Sequence, residues 1–172
     1  MMKHPKEFFR HPKPIVRFPS EEDSAEVMEL INECETSKYT ALSRNILQKD
    51  LLSETSVVAE LDGHIVGWMA AYKLPHDLET LFVWQLVVSE DERGLGLGSL
   101  MINSALNRDT CEGVERVQTA IEADDGDTWR FFKRFAHSKN ADLNVETDYT
   151  HSLHKSKLDA SECIVTVPLP VT

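Results

Sequence analysis

Between positions 86 and 99 the chain reads Leu86-Val87-Val88-Ser89-Glu90-Asp91-Glu92-Arg93-Gly94-Leu95-Gly96-Leu97-Gly98-Ser99. An apolar, β-branched run ends in charged residues, and a glycine-rich turn then opens the apolar-periodic segment Leu100 to Leu106. A strand, a tight loop and a helix start present free backbone N–H groups to an anion. Gly94, Gly96 and Gly98 let a ligand approach without Cβ obstruction, and Arg93 adds a fixed positive charge. The implied ligand carries phosphates. A P-loop needs a Lys after its last glycine, and none follows Gly98; a dinucleotide fingerprint needs its third glycine one residue later and an early βαβ unit. A plain glycine-rich turn at a helix start is the chemically silent alternative.

Other residues are candidates for acid–base or binding work. Glu122 ends a predicted strand, where a carboxylate could bind an amine or act as its base; an exposed carboxylate is the bland alternative. Trp84 and Gln85 lie in the strand leading to the glycine loop, and two-residue alternation predicts that they face opposite sides. Tyr39 sits in a polar loop segment. His151 and His154, at i, i+3 on a strand or loop, would not converge on a metal, so no metal site is expected. Cys34, Cys111 and Cys163 are an odd number without ligand spacing, which fits reduced thiols in a cytoplasm.

The elements that must position these residues are mixed. Residues 1–14, with Pro5, Pro12 and Pro14, read as an extended arm, and residues 15–172 as a single domain with its own core. Ile15 to Phe18 is a short strand. Ser20 can cap a helix whose first turn is acidic and whose apolar face includes Val27, Met28, Leu30 and Ile31. A second helical piece is predicted over 42–52. Asp62-Gly63 between two β-rich runs signals a hairpin. Leu81 to Val88 reads as a strand buried on both faces, Val114 to Ile121 as another, and Thr128 to Ala136 as a helix. Two further strands are predicted near 145–151 and 162–167.

The balance of 18 basic against 29 acidic residues gives a net charge of −11, which argues against nucleic acid or anionic membrane as the main partner. No apolar run approaches the roughly 20 residues of a membrane span. The opening Met1-Met2-Lys3-His4-Pro5-Lys6 lacks the apolar core of a signal peptide.

The pattern Arg93-x-x-Gly96-x-Gly98 after an apolar strand resembles the pyrophosphate loop of the GNAT N-acetyltransferases. The run Thr80-Leu81-Phe82-Val83-Trp84-Gln85, the block Thr119 to Phe132 and the tail Ser161 to Pro168 are similar to the L-2,4-diaminobutyrate acetyltransferases of ectoine biosynthesis. The resemblance implies an acyl-CoA N-acyltransferase fold, α/β with a mixed, mostly antiparallel sheet and a splayed central strand pair. It implies acetyl-CoA as co-substrate, a small diamine amino acid as acceptor and a homodimer. Leu86, Val87 and Val88 would hold the pantetheine arm and thioester, Leu86 through a backbone N–H that stabilises the oxyanion. Arg93, Gly94, Leu95, Gly96, Leu97, Gly98 and Ser99 would hold the pyrophosphate, with Asp125 and Phe132 also near the cofactor. Tyr39, Trp84 and Gln85 would line the acceptor site, and Glu122, which replaces a threonine of the resembled family, could attract a second amino group there or act as base.

The departures matter as much. Cys163 and Thr166 stand where the tail would carry histidine and arginine, and losing an arginine removes a bidentate carboxylate partner. Phe132 stands where many members of the wider fold use a tyrosine to protonate the leaving thiolate. Two alternatives stay open: acetylation of a polyamine, peptide N-terminus or protein lysine, and a non-catalytic acetyl-CoA-binding module.

Overall fold

The computed structural model describes residues 12–34, 53–146 and 162–171. Most of the predicted arm, the helix predicted over 42–52, Tyr39, His151 and His154 lie outside the described residues.

The strands are β1 (Ile15–Arg17), β2 (Val57–Leu61), β3 (His64–Leu74), β4 (Asp77–Val88), β5 (Arg116–Glu122), β6 (Asn144–Glu146) and β7 (Glu162–Pro168). Among the described residues the α-helices are α1 (Ser24–Cys34), α2 (Leu97–Leu106) and α3 (Gly126–Ser138). The strands form one sheet in the order β1-β2-β3-β4-β5-β7-β6. Among the described residues the β4–β5 pair is parallel and the other pairings are antiparallel.

Local chemistry accounts for the joints. Asp62 and Gly63 both adopt positive φ, 51° and 79°, which closes the β2–β3 hairpin as a tight turn matched to strand twist. Ser20 takes its expected place as N-cap, in a capping box with Asp23 at the 3-10 turn Glu21–Asp23 that leads into α1. Its N–H and hydroxyl donate to the Asp23 carboxylate at 2.7 and 3.3 Å. Arg17 anchors the box, its guanidinium gripping Asp23 through two 2.8 Å bonds and Glu60 through a third at 3.0 Å. This network ties β1, β2 and the approach to α1, and Arg17 holds the Asp23 carboxyl below its ordinary range.

Each face of the sheet is covered. On one, Val27, Leu30 and Ile31 of α1 pack on Val58, Trp68, Ala70 and Val87. On the other, α2 and α3 bring Met101, Ile102, Phe132 and Phe135 onto Val57, Met69, Val83, Val117 and Ile121. Burying each such large side chain stabilises the fold by about 1.5–3 kcal/mol. Of the run Leu81 to Val88 expected to be buried on both faces, Leu81, Phe82, Val83, Gln85 and Val87 are buried, while Trp84, Leu86 and Val88 are half-buried.

Candidate active site

The opening that matters lies between β4 and β5. Their ladder holds at Thr80–Arg116, Leu81–Val117 and Phe82–Gln118 and then lapses. β4 runs on to Val88 beside β3, while β5 continues to Glu122 beside β7. The two central strands therefore diverge from Val83 onward, which is the expected splayed pair. Thr119 marks the fork, where its hydroxyl donates to the Val83 carbonyl at 2.7 Å.

A β-bulge lies at the same level. Ala70 pairs with Gln85 but Ala71 pairs with Val83, so Trp84 is one residue extra on β4. The expectation that Trp84 and Gln85 face opposite sides is corrected by this insertion. Trp84 packs with the α1-side residues, and Gln85 accepts a 2.9 Å bond from Trp68 Nε1 on that same side. After the bulge the alternation resumes with Leu86 and Val88 toward the α2–α3 core and Val87 toward α1. Gln85 is buried, and its side chain backs Trp68.

Beyond β4 a 3-10 turn over Glu90–Glu92 leads into the glycine loop. Gly96 caps α2 at φ 79°, a left-handed conformation that suits glycine, so the chain enters the helix with the N–H groups of Leu97, Gly98 and Ser99 unused within it. Gly98 is needed for space, because a Cβ there would lie 2.7 Å from the Phe131 ring. Leu97 is buried under the loop, whereas Gly94 and Leu95 are exposed. Arg93 is exposed and folds back, its Nε donating to the Val88 carbonyl at 3.3 Å; the Cys34 thiol donates to the same oxygen at 3.6 Å. An open cleft of about 420 Å³ adjoins this corner, lined by Glu33, Cys34, Ser89, Glu90, Asp91 and Arg93.

The far wall ends at Glu122, half-buried at the tip of β5. Its carbonyl accepts from Asp125 N–H at 3.1 Å and from Trp129 Nε1 at 3.0 Å, so the first turn of α3 clasps the strand end. Asp125 is the cap of α3, accepting from the Thr128 N–H and hydroxyl at 3.2 and 2.5 Å. Phe132 faces the main core at 2 % exposure, and the ring that reaches the glycine loop is that of Phe131.

Two contributors escape a reading by motif. Phe131 fixes the loop through Gly98. Glu162, mostly buried, stands directly across from Glu122 in the β5–β7 register. The two carboxylates share a strand face, and only the pairing of distant segments reveals it. Thr166, in the position where an arginine is usual in the resembled tail, accepts from Gln118 Nε2 at 3.1 Å.

Comparison with known proteins gives one consistent result. Residues 24–137 match the acetyltransferase (GNAT) family. The L-2,4-diaminobutyric acid acetyltransferase of Methylotuvimicrobium alcaliphilum is 30% identical over 149 residues, 87% of either chain. That of Marinococcus halophilus is 31% identical over 135 residues, 78% of either chain. Among solved structures, the diaminobutyrate acetyltransferase EctA from Paenibacillus lautus, in complex with its substrate L-2,4-diaminobutyric acid and coenzyme A, superposes with a TM-score of 0.73 at 25% identity. The match covers 91% of this chain and 95% of that one.

Proposed function

The chain belongs to the acetyltransferase (GNAT) family, and from that premise we infer that it transfers the acetyl group of acetyl-CoA to the 4-amino group of L-2,4-diaminobutyrate, a step of ectoine biosynthesis. The observation that carries the reading is the β4–β5 divergence, with a helix N-terminus suited to phosphate following one wall and a carboxylate pair at the tip of the other.

The parts fit acetyl-CoA. The unused N–H groups at the start of α2 and the Arg93 guanidinium suit a pyrophosphate, whose charge also favours the positive helix end. The widening slot beside Leu86, Val87 and Val88 suits an extended arm. Backbone N–H groups of β4 can donate to the thioester oxygen as it gains charge, and Leu86 is our assignment for this role.

The acceptor side follows from charge. A diamine amino acid has two cationic nitrogens, and Glu122 with Glu162 supplies a paired negative field for them. The attacking nitrogen must first lose a proton, and Glu122, directly or through water, is our assignment for that base. Trp84 would form an apolar wall on the α1 side, with Gln85 acting through Trp68. We also propose a homodimer working in the cytoplasm, supported by the family resemblance and by Cys34, Cys111 and Cys163, none of which forms a disulfide. Among the described residues no helix is long and apolar enough to cross a membrane.

Release of free CoA, followed with diaminobutyrate, ornithine, lysine, spermidine and short peptides, tests the assignment. Diaminobutyrate is expected to exceed each of the others at least tenfold in kcat/KM. Equal or better turnover of ornithine or spermidine would overturn the substrate assignment.

A further inference from the structure

The Thr119 hydroxyl sits one rung past the last backbone pair between β4 and β5, and the side chain is buried. A parallel ladder would serve the Val83 carbonyl with an N–H of the neighbouring strand. Here the hydroxyl donates to it at 2.7 Å, and no backbone pair follows. On the opposite edge of β4, the extra residue Trp84 breaks the register with β3 immediately after Val83. The two irregularities flank the same peptide. That peptide is where β4 stops behaving as an ordinary sheet strand and becomes the wall of the opening.

Resting on the acetyl-transfer reading, we propose that Thr119 is a positioning residue. Its hydroxyl ends the β4–β5 ladder and sets the angle at which the strands part, and thereby aims the backbone N–H groups of residues 84–88 at the thioester. The side chain touches neither substrate. It acts through Val83, and the cost of losing it falls on chemistry more than on binding, because the phosphate cradle lies at the distant end of β4.

Thr119→Val keeps the branched shape and removes the donor; Thr119→Ser keeps the donor and removes the methyl. Steady-state CoA release, calorimetric CoA binding and amide exchange across 84–88 separate the roles. The valine variant is expected to lose at least tenfold in kcat, to change the acetyl-CoA KM less than threefold and to bind CoA within twofold of the parent. Its 84–88 amides are expected to change exchange rate at least tenfold, and the serine variant to stay within twofold throughout. Thr119→Ala makes the same comparison with serine should the valine variant not fold. Unchanged kcat and unchanged exchange in the valine or alanine variant would overturn the proposal, as would a serine variant that falls equally far. A parent protein that releases no CoA with any amine would overturn the acetyl-transfer reading instead, and amide exchange would still decide the role of Thr119.

Discussion

Gly98 carries two constraints at once: its N–H is one of those proposed for the phosphate cradle, and its Cα lies beneath Phe131. The ring is held edge-on to Phe132 at 5.0 Å and stacked on Phe135 at 6.4 Å, so it has little freedom to yield to a Cβ. Gly98→Ala is expected to cost about 1 kcal/mol, since overpacking of roughly 1–3 kcal/mol exceeds the roughly 0.5–1 kcal/mol gained in helix propensity. Chemical denaturation measures the first quantity, and calorimetry should show weaker acetyl-CoA binding; a variant matching the parent in both removes the account. Glu122→Gln keeps the shape at the tip of β5 and removes the proposed base, so kcat is expected to fall about 10²-fold or more with a small change in the acetyl-CoA KM. Undiminished turnover would transfer the role to another group. The glycine turn into a helix start was readable from the chain because that geometry is local. Phe131 and Glu162 were not, since each acquires its role from a segment far away in sequence.

At the scale of elements, the Asp62-Gly63 hairpin and the helices α1, α2 and α3 follow from turn chemistry and periodicity, and these were legible. The bulge at Trp84 was not, because the apolar run of the sequence passes through it unbroken and only the partner strand exposes the extra residue. The corner joining β1, β2 and α1 has a pH signature. Arg17 depresses the carboxyl of Asp23 in the folded state, so its contribution is fully present above the ordinary carboxylate range near pH 4 and is lost as pH falls through the lower folded value. Asp23→Asn is expected to lose about 1–3 kcal/mol at pH 7. The gap from the parent should shrink as the pH approaches 2. A gap that stayed constant from pH 7 to pH 2 would show that the ion pair is not its origin.

Taken as one molecule, the protein carries eleven more negative than positive side chains, and self-repulsion of like charge opposes its compact state. Salt screens exposed charge over a Debye length of about 10 Å at 0.1 M and about 3 Å at 1 M. The melting temperature is therefore expected to rise with salt, by about 2–4 °C for each kcal/mol recovered in a chain of this size. A melting temperature that fell with salt would mean that attractive surface pairs outweigh the net charge. Composition made this field readable, and the glycine loop with its preceding strand made the fold class readable; the sheet order from β5 through β7 to β6 depends on pairings across long separations. The chain contains three tryptophans. Trp68 bonds to Gln85, Trp84 is the extra residue of β4, and Trp129 holds the carbonyl of Glu122. Every indole in the protein thus reports optically on the two walls of the same opening. Ultraviolet emission from the unlabelled protein should change when that opening fills, and stay unchanged on additions that bind elsewhere.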